Sequence, residues 1–194
     1  EQTIKNNGNK NKEQLSIIEK CNDTLEFMAN TVDTFRSVLG AHHTETEFNP
    51  YIIINETIGL LSDNFSLHKI QVETELDEVC VLNGNQTELA NVILSILINA
   101  RNIFEQRKIK EPKISISLSQ KNNLINISIA DNGGGISIQP INSIFNLGTS
   151  TSRSQDGGLG LYIAKQIIEQ KFNGSLTVEN HTLGAKFNIW IPTR

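Results

Sequence analysis

Residues 129–136 read Ile-Ala-Asp-Asn-Gly-Gly-Gly-Ile. They place one carboxylate, Asp131, just past an apolar alternating run and in front of three glycines. Glycine has no Cβ and tolerates positive φ, so such a loop lets backbone approach a ligand closely. A carboxylate at the mouth of an apolar pocket accepts a hydrogen bond from an exocyclic amine, such as that of adenine, and repels the carbonyl of guanine. The same residues would serve equally well as a plain turn.

Residues 156–164, Asp-Gly-Gly-Leu-Gly-Leu-Tyr-Ile-Ala, lead glycines straight into an apolar-periodic segment. A helix N-terminus offers unpaired N–H groups and the positive end of the helix dipole, and both favour phosphate. The spacing is neither the dinucleotide fingerprint nor a P-loop. Taken alone, a glycine-rich helix start is a weak signal. A third stretch, Leu97-Ile98-Asn99-Ala100-Arg101-Asn102, lies in a strongly apolar segment. An Asn on a helix facing a pocket can place its carbonyl oxygen on Mg²⁺. With 23 asparagines in 194 residues, the identity of one Asn carries little by itself.

These residues need elements to position them. Residues 1–12 are rich in Asn, Lys and Gly and read as a flexible lead-in. From 13 to 39, Leu15, Ile18, Cys21, Leu25, Met28, Val32, Phe35 and Leu39 recur at steps of three and four. That predicts a long amphipathic helix with a narrow stripe, which needs a helical partner. Gly40 is its expected stop. A polar connector follows, with His42 and His43, and the domain boundary is expected there. The pattern then predicts a helix over 50–63, with Pro50 in its first turn, and a strand over 70–76. A wide-faced helix is predicted over 88–107, capped by Asn85 or Thr87. Alternation at Ile114, Ile116 and Leu118, then at Ile125, Ile127 and Ile129, predicts a hairpin turning at Asn122-Asn123. A loop-rich stretch runs over 131–157, followed by a helix over 158–171 that Asn173-Gly174 ends. Strands over 175–179 and 185–191 close the chain as a second hairpin. Helices on a mixed, largely antiparallel sheet make an α/β sandwich.

Bulk properties narrow the function. Net charge is -4, a poor match to phosphate-driven nucleic-acid binding. No run approaches the ~18 apolar residues that span a bilayer, so any membrane attachment is expected through parts outside this chain. The polar start Glu1-Gln2-Thr3 does not read as a signal peptide. Cys21 and Cys80 match no metal spacing and read as free, packed thiols in a reducing compartment.

The order and separation of the three stretches matter more than any one of them. Together they resemble the ATPase superfamily that includes sensor histidine kinases, DNA gyrase, Hsp90 and the mismatch-repair protein MutL. Asn99-Ala100 is similar to its N box, residues 131–135 to its G1 box and residues 158–161 to its G2 box. Residues 143–151, Ser-Ile-Phe-Asn-Leu-Gly-Thr-Ser-Thr, resemble the F box and the start of an ATP lid. Gly174, Val178-Glu179-Asn180, Gly184, Phe187 and Ile191-Pro192 resemble the closing hairpin. The likeness spans roughly residues 48–194, the expected catalytic ATP-binding domain, with residues 13–47 as a dimerisation helix and linker. It implies ATP and Mg²⁺. It implies nucleotide contacts from Asn99, Asn102, Asp131, Gly133, Gly135, Ile136, Phe145, Thr151, Gly158, Leu159, Gly160 and Leu161. It implies metal contacts from Asn99 and Ser95, and catalytic roles for Asn99 and Arg153.

Within that superfamily the residues resemble histidine kinases best. Gyrase-like and MutL-like ATPases carry a glutamate one helical turn before the N-box Asn as a general base for water. Here that position is Ser95, which cannot do that work. Residues 33–36, Asp-Thr-Phe-Arg, followed by a polar link, resemble the second helix of a histidine kinase dimerisation hairpin. The resemblance therefore implies a cytoplasmic homodimeric kinase that passes phosphate to a response-regulator receiver domain. Three positions depart from the family pattern. Ser95 replaces a second Asn, Asp156 replaces a glycine of the G2 box, and Ser152 replaces the lid lysine beside Arg153. None of His42, His43, His68 or His181 has the context of a phospho-acceptor, so the acceptor is expected upstream of Glu1. The rival readings are a degenerate nucleotide-binding module without phosphotransfer and an anti-sigma-type serine kinase.

Overall fold

The computed structural model describes residues 45–147 and 159–193. The lead-in, the expected helix over 13–39 and the histidine pair of the connector lie outside the described residues. So do Thr151, Ser152, Arg153, Asp156 and Gly158.

Two strands form where the sequence gives no alternation. β1 (Thr46–Phe48) pairs antiparallel with β3 (Leu82–Gly84), so β1 crosses the expected boundary between residues 47 and 48. Between them lie α1 (Pro50–Leu60), α2 (Ser62–Leu67) and β2 (Gln71–Leu76). Asn49 caps α1, its side-chain oxygen accepting from Tyr51 N at 2.9 Å, and Pro50 occupies the first helical position. The single helix expected over 50–63 is instead two. Leu61 leaves helical geometry at φ -96 and ψ 0, which lets it and Phe65 of α2 both reach the core.

α3 (Gln86–Arg107) is the longest described element. Asn85 caps it, its side-chain oxygen accepting from Thr87 N at 2.8 Å. Lys108 ends it in the left-handed region at φ 52. Leu89, Val92, Ile93, Ile96, Leu97, Ala100 and Phe104 form its buried face. The sheet follows with β4 (Lys113–Lys121) and β5 (Leu124–Asp131). Their turn sets both Asn122 and Asn123 at positive φ, the geometry of a two-residue hairpin matched to strand twist. A 3₁₀ turn (Ile141–Phe145), α4 (Leu159–Lys171), β6 (Ser175–His181) and β7 (Gly184–Pro192) complete the described chain.

The five-stranded sheet has the order β2-β4-β5-β7-β6, with β2 and β4 parallel and the other pairs antiparallel. Alternation turns every second side chain to one face. Ile116, Ile129, Phe187 and Val178 stand in one cross-strand row, and Leu118, Ile127, Ile189 and Leu176 in the next. These rows and the apolar faces of the helices form one core, and burying each large apolar side chain contributes roughly 2 kcal/mol. The result is the expected α/β sandwich. Cys80 lies in this core as a free thiol.

Candidate nucleotide-binding site

Asp131 keeps the phase of its strand. Ile125, Ile127 and Ile129 point into the core at alternate positions, and Asp131 is the next in that series. A carboxylate therefore replaces an isoleucine at the rim of the apolar layer, with 8% of its surface exposed. Burial pushes its carboxyl above the usual carboxylate range. The N–H groups of Gly133 and Ala185, with the charges of Arg107 and His181, pull the other way. The oxygen Oδ1 accepts from Gly133 N at 2.7 Å and from Ala185 N at 3.3 Å. The other oxygen, Oδ2, takes no hydrogen bond from the described residues and remains an acceptor.

The glycines after Asp131 meet real constraints. A Cβ on Gly133 would stand 2.7 Å from Ile103 Cγ2 of α3, so the loop lies directly on that helix. Gly134 and Gly135 have φ of 89 and 73, which side chains resist. Asn132 has a different task. Its side chain accepts from Lys113 N at 2.8 Å and donates to Glu111 O at 2.8 Å, tying the loop to the start of β4.

Three groups that the sequence reading did not assign hold this loop. Arg107 Nη1 donates to Gly133 O at 2.5 Å and to Gly135 O at 2.8 Å. Asn180 of β6 matches the Ile136 peptide with both ends of its amide, accepting from Ile136 N at 2.7 Å and donating to Ile136 O at 2.9 Å. Gly134 N donates to Leu183 O at 2.8 Å. The loop is thus fixed from the helix layer on one side and from the β6–β7 hairpin on the other.

One face of α3 connects this loop to the other two stretches. Ser95, Asn99, Ile103 and Arg107 follow one another at steps of four, the spacing of neighbours along a helix. At one end, Ser95 lies against Gly160 in the first turn of α4, since a Cβ on Gly160 would stand 3.7 Å from the Ser95 side chain. At the other end, Ile103 and Arg107 touch the glycine loop. Asn99 stands between them, half-buried, and its side chain makes no hydrogen bond among the described residues. The helix start and the Asp131 loop are therefore about 18 Å apart along α3, with the candidate metal ligand between them.

The remaining expected residues fall around this line. The Ser95 hydroxyl donates to Asn91 O at 2.8 Å, which occupies its proton and leaves its oxygen lone pairs. Asn102 is half-buried, and its side-chain oxygen accepts from Arg101 Nη2 at 3.0 Å. Ile136, Leu159 and Leu161 are half-buried and pack against the core. Phe145 is 3% exposed, with its ring edge-on to Phe187 at 6.3 Å and Lys165 Nζ 5.1 Å above it. It anchors the segment that leads toward the expected lid. Among the described residues, no group of three or more His, Cys, Asp or Glu side chains could hold a metal ion. A cation here would depend on amide oxygen, water and ligand phosphate, a donor set that suits Mg²⁺.

The family of histidine kinase-, DNA gyrase B- and HSP90-like ATPases matches residues 84–194, from the end of β3 through the last strand. The chain belongs to this family. Among its curated relatives is a probable C4-dicarboxylate sensor kinase of Bacillus subtilis (strain 168), 30% identical over 135 residues. That alignment covers 69% of this chain and 23% of the relative, so the relative is a much longer protein. Among solved structures, the catalytic domain of the histidine kinase ThkA superposes with a TM-score of 0.69 at 26% identity, covering 78% of this chain and 97% of that one. ThkA in complex with the response regulator protein TrrA superposes with a TM-score of 0.66 at 21% identity, covering 88% of this chain and 49% of that one. The described fold is therefore that of an ATP-binding domain of the histidine kinase type.

Proposed function

We propose that this chain is the catalytic portion of a two-component sensor histidine kinase, binding ATP with adenine against Asp131 and the phosphates toward the start of α4. The supporting observation is the line Ser95-Asn99-Ile103-Arg107, which joins the first turn of α4 to the Asp131 loop along one face of α3. Adenine's amino group would donate to Asp131 Oδ2, while Gly133 lets the loop lie close against α3. Mg²⁺ would be held by Asn99 and the phosphates, with Ser95 Oγ as a weaker second oxygen. Asn102, Gly135, Ile136, Leu159, Gly160 and Leu161 would line the nucleotide, and Phe145 would act through the segment it anchors. Thr151, Arg153 and Gly158 are assigned to the lid and G2 element by sequence alone, with Arg153 reaching the γ-phosphate.

In phosphoryl transfer the protein has little covalent chemistry to perform. It positions the donor in line with the acceptor and neutralises the charge that spreads over the equatorial oxygens. The acceptor would be a neutral imidazole outside the ATP-binding domain. The phosphoryl group would then pass to an aspartate of a response-regulator receiver domain, as the ThkA–TrrA complex suggests by likeness. Ser95, where a water-activating glutamate would stand, supports transfer over hydrolysis. Dimerisation through residues 13–39 and a cytoplasmic setting belong to the same proposal. No helix among the described residues is long and apolar enough to cross a membrane.

The test has two parts. Calorimetry with a non-hydrolysable ATP analogue and Mg²⁺ is expected to show one site per chain. Labelled γ-phosphate is expected to appear on a separately supplied dimerisation hairpin carrying the acceptor histidine. Analogue binding without any transfer would replace the kinase reading with a regulatory nucleotide-binding module.

A further inference from the structure

Arg107 has no assigned role, yet it holds two carbonyls of the glycine loop. It ends α3, four residues beyond Ile103 and eight beyond Asn99. Its single nitrogen Nη1 reaches both Gly133 O at 2.5 Å and Gly135 O at 2.8 Å. A Cβ on Gly134 would meet that same nitrogen at 3.0 Å, so the guanidinium sits in the curve of the loop. With its two outer carbonyls held, the loop presents Gly133 N to Asp131 Oδ1 at 2.7 Å. That bond takes one carboxylate oxygen and leaves the other for a ligand.

We propose that Arg107 is the positioning residue of the adenine loop, gripping the Gly133 and Gly135 carbonyls so that Asp131 meets an incoming nucleobase amine with one free oxygen. This rests on the reading of Asp131 as the adenine partner. The choice of arginine follows from geometry. The planar guanidinium fixes the directions of the two N–H bonds on Nη1, whereas an ammonium is a point charge on a flexible stem. Its charge acts in the same sense. The charged groups felt at Asp131 are Arg107 from α3 and His181 from β6, and both favour the ionised carboxylate against its burial.

The role separates from general structural support by base discrimination. A loosened fold would weaken every nucleotide alike. A displaced adenine loop weakens ATP and leaves GTP, which gains nothing from Asp131, where it was. The experiment measures binding of Mg-ATP and Mg-GTP to the full chain as wild type, Arg107→Met and Arg107→Lys, with thermal melts as a folding check. Arg107→Met is expected to bind ATP about tenfold more weakly, the scale of a lost charge-assisted pair of hydrogen bonds, with GTP affinity unchanged. Arg107→Lys, which keeps the charge but not the planar group, is expected to fall between the two and serves as the readout if the Met variant does not fold. ATP affinity equal to wild type in both variants would overturn the inference, and so would an equal fall for ATP and GTP. Wild-type chain that fails to bind ATP at all would overturn the nucleotide reading itself, and the inference with it.

Discussion

Gly184, the first residue of β7, lies directly against Asp131, the last residue of β5. A Cβ at Gly184 would overlap the Asp131 carbonyl oxygen and stand 2.6 Å from its side-chain Oδ1. The close approach brings Ala185 N within 3.3 Å of that same Oδ1. The carboxylate is thus oriented by a strand that arrives more than fifty residues later in the chain.

Gly184→Ala is therefore expected to push the two strand ends apart. Overpacking against backbone costs about 3 kcal/mol, since backbone cannot swing aside as a side-chain tip can. The variant is expected to melt lower and to lose nucleotide affinity together with the Ala185 bond. Thermal denaturation and analogue titration of the same preparation check both, and an unchanged melting temperature would contradict the close approach.

Asp131→Asn separates stability from binding. The native carboxyl binds its proton more tightly than the unfolded chain does, because burial penalises the charge. Its contribution to stability is thus fully present below the unfolded pKa and is lost as pH rises through the folded value. An Asn there keeps an oxygen for Gly133 N and Ala185 N but has no charge to bury. The variant is expected to lose ATP-analogue affinity and yet to melt higher than wild type near neutrality. That gap is expected to close as pH falls toward about 4, the ordinary carboxylate range. Melting curves across that range are the check, and unchanged analogue affinity would end the adenine assignment.

Much of this architecture is legible in the order of residue types. Alternation at Ile125, Ile127 and Ile129 marks β5 and also fixes the phase that buries Asp131. Wide periodicity over α3 marks the helix and places Asn99 on it. The strands β1 and β3 escape notice because three residues are too few to show alternation. The break at Leu61 escapes because no glycine or proline marks it, and tertiary packing of Leu61 and Phe65 decides it. Asn180 is legible as part of the closing hairpin, but its grip on the Ile136 peptide, 44 residues away, is not. Arg107 carried a usable signal, because stepping by four from Ser95 and Asn99 lands on it. The loop glycines that it grips are bound 26 and 28 residues away, beyond what local pattern reveals.

Asn180→Ala is expected to loosen the loop without unfolding the domain. Its two bonds to Ile136 are exposed, so their loss is expected to cost stability only about 1 kcal/mol. The larger effect falls on the ligand, because Gly135 rests on Asn180 with a prospective Cβ only 2.8 Å from its side-chain oxygen. Analogue affinity is expected to drop severalfold with a small change in melting temperature. Hydrogen exchange at the Ile136 amide is expected to speed up, and an unchanged rate would show that the pairing does not persist in solution.

Asn99 and Ser95 are expected to respond unequally to the loss of Mg²⁺ contacts. Asn99 presents an amide oxygen with no competing hydrogen bond among the described residues, whereas the Ser95 hydroxyl proton is already given to Asn91 O at 2.8 Å. A serine oxygen is also held closer to its own helix, so it reaches less far toward an ion that sits against phosphates. Mutating even the outer partners of metal ligands typically costs 10–100-fold, so Asn99→Ala is expected to lower Mg-ATP affinity by at least about tenfold. Ser95→Ala is expected to lower it by no more than about threefold, and to leave stability level or slightly raised, because alanine is the better helix former. Repeating both titrations with excess chelator isolates the ion: the gap between Asn99→Ala and wild type is expected to vanish once Mg²⁺ is removed. A gap that persists without the ion would mean that Asn99 contacts the nucleotide directly and not through the metal.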